Sequence, residues 1–509
     1  MVAVLLLTLP GAIAGDPPAF VYTLPGPYFE FGVNAAAVDS AGNTYLTGYT
    51  YLPIPVTADA YQPQISPGPG DCVNGAITSG IPVGPCWDAF LIKLDPSGAV
   101  VYGTYLGGSW ADSATAIAID AGGNIYIAGT SQAPALANQA TPNNFPVTPG
   151  AAFSGSNLSS AFVVKFDPTG HTLIYSTYIP GVTSVAGLAL DAAGNAYIAG
   201  VTNPAKYPFP ATAGSVQTSP KNNASAGVVA ALNAAGTALI YATYLSGSLT
   251  SPQQALDGIL GIAVDPAGDA YVTGSTAAAD FPVTQGAFET ALPNIASTAF
   301  VAELNPQGNA LFYSTFLGGN GLDVGLAIKV DSQGGAWVLG QTTSTNLPLS
   351  AAPFTLKPDN FFLAHLNRDG SSLSYATYFP GMPGAGQALA LSASGNIYVA
   401  SSVSTAGLPV SPGAFQSSLN GATNAYIAQF APDGLMQAAT YLGGSNGDYV
   451  TLIAADANGS VLVGGKTYSP DFPGMARPLP NNGVANYLAN LFPSVRMPVE
   501  LHRRRFRAR

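Results

Sequence analysis

Short apolar runs, each closed off by glycine, proline, asparagine or aspartate, recur along the 509-residue chain. Inside many of them the apolar positions alternate, as at Phe162, Val164 and Phe166. A period of two lines one face of a strand, whereas a helix needs a period near 3.6. The runs are rich in Val, Ile, Tyr, Phe and Thr, the residues that suit a pleated backbone. The pattern therefore predicts many short strands joined by tight turns.

The strands repeat as a group. An apolar run leads into Asp-x-x-Gly-Asn-x-Tyr-x-x-Gly, which starts at Asp39, Asp120, Asp191, Asp265, Asp331, Ser392 and Asp456. The asparagine becomes Asp269, Gly335 and Ser460 in three copies, and the aromatic is Trp337 in the fifth. A second element follows each copy. It comprises residues 89–98 and 101–108 in the first repeat, then 161–181, 227–247, 299–319, 360–381 and 425–444, and it stops early at 486–492. Turns such as Asp95-Pro-Ser-Gly98 have Asp first, Pro second and Gly fourth, the chemistry of a type I turn. Each unit thus reads as a four-stranded antiparallel meander. Seven meanders point to an all-β fold, a seven-bladed β-propeller. Small residues such as Ala116 and Ala118 fit an innermost strand crowded around the axis. The last unit lacks a fourth strand, and residues 19–24 offer a spare one, which predicts a ring closed by the N-terminal strand.

These residues resemble the bacterial seven-bladed β-propeller (SBBP) repeat. Its signature joins Asp-x-x-Gly-Asn-x-Tyr-x-x-Gly to a Phe-Pro-Val-Thr-x-Gly-Ala-Phe stretch and a Tyr-Ser-Thr-Tyr-Leu-Gly-Gly strand. Here the middle stretch stands at residues 281–288 and, as Leu-Pro-Val-Ser-Pro-Gly-Ala-Phe, at 408–415. The resemblance runs from about residue 19 to 493 and implies a secreted or cell-surface bacterial protein. It carries no agreed molecular activity.

Composition narrows the partners. Hydrophobic residues make up 48% and charged residues 8%, the reverse of a disordered chain. Net charge is −11; residues 496–509 hold six of the fifteen Lys and Arg with one acid, Glu500, so the remainder carries 9 − 25 = −16. An acidic body disfavours nucleic acid and anionic membranes as partners of the propeller. Residues 1–14 form an apolar run ending in Ala12-Ile13-Ala14, which reads as a secretory signal. Once it is removed no transmembrane span is expected. The organisation predicted is therefore a signal-like segment at 1–14, a propeller at 15–493 and a basic tail at 494–509. The expected product is a monomer that is secreted, periplasmic or on the cell surface. Cys72 and Cys86 share one Gly/Pro-rich loop, and in an oxidising compartment such a pair is expected to close a disulfide.

Candidate chemistry is sparse. His171, His365 and His502 share no metal-ligand spacing, and nothing in their order suggests a Ser-His-Asp set. Asp112, Asp257, Asp323 and Asp448 each sit eight residues before a repeat aspartate, with Glu30 nine before in the first unit. All lie where the chain enters an innermost strand. Two roles fit that spacing: a ring of carboxylates at the channel mouth, holding calcium or sugar hydroxyls with Trp87 and Trp110 as stacking surfaces, or a cap on the local turn. The connections between second and third strands (51–88, 131–160, 202–226, 276–298, 342–360, 402–424 and 467–485) are long and variable. They and the links between blades are expected to share one face, where binding would concentrate. The reading is a binding or scaffolding module for a polysaccharide or protein. The alternatives are a lyase- or glycosidase-like enzyme in the axial pocket, or a purely structural surface protein.

Overall fold

The computed structural model describes residues 21–24, 31–66, 86–132, 144–155, 159–248, 257–293, 296–350, 360–384, 386–456, 459–474 and 485–491. Among them, strands form seven antiparallel sheets of four, each a blade, and in six of the blades the strands lie in sequence order. The first strands are Phe31–Val38, Asp112–Ile119, Ser184–Leu190, Gly258–Val264, Asp323–Val330, Gln387–Leu391 and Asp448–Ala455. They touch one another around the whole ring, blade seven against blade one included. In blade seven the strand Val21–Leu24 supplies the fourth place, pairing antiparallel with Ala485–Leu491 from Val21↔Ala489 to Leu24↔Asn486.

The last glycine of the repeat is explained by a bulge. In six blades the first strand shifts register by one residue against the second, as between Gly325 and Ala327. The shift drives a first-strand carbonyl towards the second strand. A Cβ at Gly48 would lie 1.7 Å from the Gly32 carbonyl oxygen, and at Gly274 it would lie 1.9 Å from that of Gly258. Only glycine leaves that room. Blade six has Ser401 at this position, and there the paired stretch runs from Gln387↔Ser401 to Leu391↔Ile397 with no shift. The bulge and the glycine go together.

Blades pack through tyrosine. Tyr45, Tyr126, Tyr197, Tyr271 and Tyr398 are buried, and the hydroxyl of Tyr126 donates to the Gly194 carbonyl of the next blade at 3.0 Å. Fourth-strand tyrosines lie beneath the glycine of the next blade's outer turn. A Cβ at Gly308 would meet the Tyr241 ring at 2.2 Å, and one at Gly370 the Tyr313 ring at 2.2 Å.

The long connections differ from expectation. They do not simply stand on one face, because each of six runs back along the outer edge of its own blade. Thr57, Thr148, Thr212, Thr284, Ser350 and Ser411 donate backbone N–H groups to fourth-strand carbonyls, at 2.8–3.1 Å. Three connections reach further, from Ala152, Val216 and Phe288 to the turn carbonyls of Gly236, Gly308 and Gly370 in the following blade. An outermost strand would otherwise present unpaired N–H and C=O groups, a template for aggregation. Covering it takes up much of the loop length that looked free.

Gly274→Ala is expected to cost about 1–3 kcal/mol through overpacking against the bulge, while Ser401→Gly costs less than about 1 kcal/mol. Urea unfolding of both variants checks this, and equal losses would break the link between bulge and glycine.

Candidate functional site

Two ends of the propeller carry chemistry. At the tight-turn end the repeat aspartate organises each turn. Asp39 accepts the N–H groups of Ala41 and Asn43 on one oxygen, both at 2.9 Å, and the Asn43 amide and Tyr45 hydroxyl on the other, at 2.8 and 2.9 Å. Asp120 and Asp191 repeat this set. The side chain facing the repeat aromatic across the sheet varies by blade: Lys93, Lys165, Ala231, Glu303 and Gln429 face tyrosines, and His365 faces Trp337. Lys93 and Lys165 lie over their tyrosine rings, 4.9 and 4.7 Å from the centroids.

In blade four that place holds an acid. Glu303 is buried against Tyr271, and burial pushes its carboxyl up to about 7, with Asp269 and Asp265 adding repulsion and Arg368 of the next blade opposing it.

Blade five departs furthest. Its Asp331 still accepts Gln333 and Gly335 N–H groups at 2.8 and 2.9 Å. Gly335 and Trp337 have replaced the amide and hydroxyl donors, however, and His365 Nε2 fills the gap, 2.9 Å from Asp331 Oδ2. A Cβ at residue 335 would come within 2.3 Å of that nitrogen, so the glycine makes room for the imidazole. The ring stacks on Trp337, centroids 4.4 Å apart. Its Nδ1 lies 2.5 Å from the hydroxyl of Ser374, on the fourth strand Leu373–Phe379. The structure thus assembles a Ser-His-Asp set, contrary to the sequence reading. The spacing hid it because three strands and a bulge bring the groups together. Lys329 is a further departure: the equivalent places opposite the second-strand residue hold Ala37, Ala118, Ala189, Ala263, Ala390 and Ala454. Reading the repeats column by column exposes these substitutions.

At the loop end the four offset aspartates are wholly buried. Each accepts the N–H of a glycine in the link that follows the preceding blade: Gly108 to Asp112 at 2.6 Å, Gly247 to Asp257 at 2.7 Å, Gly319 to Asp323 at 2.8 Å and Gly444 to Asp448 at 2.7 Å. Asp323 also accepts Thr342 and Ser344 hydroxyls at 2.6 and 2.8 Å. Burial raises all four, Asp257 to about 6. The carboxylates therefore point into their blades as turn caps and do not line an open mouth. A cation there would first have to displace these donors. Among the described residues no three His, Cys, Asp or Glu side chains come together as a metal site. Trp110 is buried, and Trp87 is half-buried with its ring 5.8 Å from that of Tyr49, so neither is a free stacking platform. Cys86 is buried; Cys72 and Glu30 lie outside the described residues.

Sequence reasoning passed over Glu289. It lines a cleft of about 290 Å³ between blades four and five, with Phe288, Pro293, Gly318, Gly319, Asn320, Asn346 and Pro348. Gln62, Gln217 and Gln416 hold this place in other blades. Their amide nitrogens donate to the carbonyls of Gln64, Ser219 and Ser418, at 3.2, 2.9 and 2.8 Å. Glutamate has no such proton when ionised, and Glu289 Oε2 is buried without a hydrogen-bond partner among the described residues. Burial and the nearby Asp323 both raise its carboxyl.

The fold and its repeats define a propeller. The SBBP family model, a beta-propeller repeat, matches residues 101–134 and 240–282, so the chain carries SBBP repeats there. Both matches begin on a fourth strand and run through the next blade's first two, across a blade junction. No curated protein matches the chain. Similar solved structures include Kuenenia stuttgartiensis hydrazine synthase, with 9% identity over 86% of this chain and 94% of that one, TM-score 0.40. Chaetomium thermophilum Raptor shows 7% identity over 94% of this chain and 29% of that one, TM-score 0.44. A Bacteroides caccae protein of unknown function shows 11% over 70% and 91%, TM-score 0.33. Likeness at this level decides nothing about function.

Two outcomes follow from the burial of these acids. Asp323→Ala should cost roughly 2–4 kcal/mol by leaving buried donors unpaired. Neither excess calcium nor a chelator should move the wild-type melt, and a calcium-dependent melting temperature would restore the cation role. For Glu303 the folded carboxyl titrates near 7 and the unfolded one near 4.5. Between those values the unfolded chain has shed a proton that the fold retains, so stability falls as pH rises from 4.5 to 7 and levels off above. Glu303→Gln should remove this fall, gaining on the order of 1–2 kcal/mol over wild type by pH 8. Paired urea titrations at pH 4.5 and 8 would show it.

Proposed function

We propose that this chain is an exported binding module whose loop end engages a polysaccharide, with the cleft between blades four and five as its contact point. The observation that supports this most is the unpaired Glu289 oxygen in that cleft. A buried acceptor without a donor costs free energy, so it is a place where a ligand hydroxyl gains more than it would elsewhere. The Asn320 and Asn346 amides and the Phe288 ring add the donors and apolar surface that sugars use. Asp323 holds the Gly319 N–H at the cleft wall, which keeps that wall rigid. The apolar segment 1–14 supports export into a periplasmic, secreted or cell-surface setting, and a Cys72–Cys86 disulfide belongs to the same reading. The variable connections that frame the cleft suit a site that is selected blade by blade.

A glycan-array screen of the purified chain, followed by calorimetry on any hit, tests this. Glu289→Gln should fold at least as well as wild type and bind the same glycan about tenfold more weakly, a loss near 1.4 kcal/mol. Unchanged affinity in the variant would remove the cleft from the site, and a protein ligand in place of a glycan would replace the proposed partner.

A further inference from the structure

The geometry points to Ser374 as an activated nucleophile, with His365 as its base and Asp331 as the positioning group, able to take an acyl or phosphonyl group from a small activated ester. This is independent of the loop-end reading, since the cluster lies at the tight-turn end of blade five.

A repeat-aspartate carboxylate accepting two backbone N–H groups on one oxygen can only accept on the other, so the 2.9 Å contact requires a proton on His365 Nε2. In the neutral imidazole that leaves Nδ1 bare. The hydroxyl of Ser374 lies 2.5 Å from it and 3.3 Å from the His365 carbonyl, and the shorter contact is the one its proton fills. Burial holds the histidine below its ordinary value against the opposing pull of Asp331, so it is a neutral base at pH 7. Nucleophile, base and orienting carboxylate are recognised by such roles and not by chain order.

Placement supports the assignment. Register shifts between His365 and Leu366, so Ser374 is the extra residue of a bulge, a device that re-aims a side chain. Blades one to four put Val101, Ile174, Ile240 and Phe312 at this place, all exposed and apolar, and blade six puts Gln437 there, accepting from the Gln429 amide at 3.0 Å. Blade five alone combines an exposed serine here with a histidine facing it and a glycine that leaves the ring space. A structural stand-in for the missing tyrosine hydroxyl would need the histidine but not the serine.

In the reaction, the Ser374 oxygen attacks the ester carbonyl carbon while its proton passes to His365 Nδ1. The carbon–oxygen bond to the leaving group breaks, and the leaving alkoxide takes that proton from the imidazolium. Water, deprotonated by the same nitrogen, then cleaves the acyl-serine and the proton returns to Ser374. The net change is ester plus water to acid plus alcohol. The serine sits on an open strand surface, so small acyl donors are the substrate class. The base's share of catalysis is of order 10²–10⁴.

The test treats the full chain with a fluorophosphonate probe, whose fluoride leaves as the serine–phosphorus bond forms, and maps the adduct by peptide mass. Hydrolysis of p-nitrophenyl acetate is followed in parallel. Wild type should label at Ser374 and hydrolyse the ester at least tenfold faster than Ser374→Ala. His365→Gln places the blade-six residue, Gln429, in the same setting, so it should fold while losing both signals. Asp331→Asn should slow labelling at least tenfold with the melt little changed. No adduct on wild type, an adduct on another residue, or equal labelling of His365→Gln would each overturn the assignment.

Discussion

Each blade turns from its innermost strand into the next around a single side chain, and in most blades that side chain is a carboxylate. One oxygen takes the two N–H groups that the turn leaves unpaired, and the other takes whatever donor the blade supplies from the second strand. The tyrosine so held reaches the neighbouring blade, as Tyr126 reaches Gly194, and in blade six, where Ser392 stands for the acid, Tyr398 still reaches Gly459. Turn geometry and blade packing are therefore coupled through one group. That coupling makes the second oxygen consequential. When the asparagine and tyrosine are lost, as in blade five, the oxygen recruits His365, because a half-buried carboxylate oxygen left bare is costly. The Ser-His-Asp set is in this sense a by-product of turn capping, built from a structural acid that every repeat already provides.

Much of this architecture was legible in the sequence. The spacing of the Asp-x-x-Gly turns and the alternation within strands specify seven meanders, and the last unit, which stops at residues 486–492 without a fourth strand, pointed to the segment that pairs there. Periodicity carries that information because each strand's in-and-out pattern is local. What a period cannot carry is depth. Asp112, Asp257, Asp323 and Asp448 have the same offset whether they face a channel or their own turn, and only the donors around them decide it. Trp110 likewise looked like a surface and lies in the interior. Length was misleading for a related reason. The long connections look free in sequence but spend backbone hydrogen bonds along outer strands, which no side-chain pattern records.

The candidate sites were hidden for the opposite reason: they are breaks in the pattern. Lys329 among six alanines, Glu289 among three glutamines and His365 opposite a tryptophan each stand out only when blades are compared position by position. A repeat protein supplies its own reference, since seven copies of one environment show which residue that environment ordinarily asks for. A departure that merely relaxed the fold would tend to be small and apolar. These departures instead place ionisable groups in low-exposure positions, where the free-energy cost favours a compensating role.

Two of the three breaks lie in blade five, and the third lies at its junction with blade four. The ring constrains how they can act together. Interblade tyrosines and buried caps make each junction rigid, so a ligand in the loop-end cleft would meet Glu289 and the Gly319 wall largely preformed. Rigidity of this kind lowers the ordering cost of binding. It equally holds the tight-turn cluster to one geometry, because Trp337 and Tyr375 pack on either side of the strand that bears His365. Binding at one end and chemistry at the other would therefore be joined by a stiff blade that needs no moving part. The mechanical consequence is that each site can be altered at one residue, Glu289 in the cleft or the exposed Ser374, while the packing between blades stays intact.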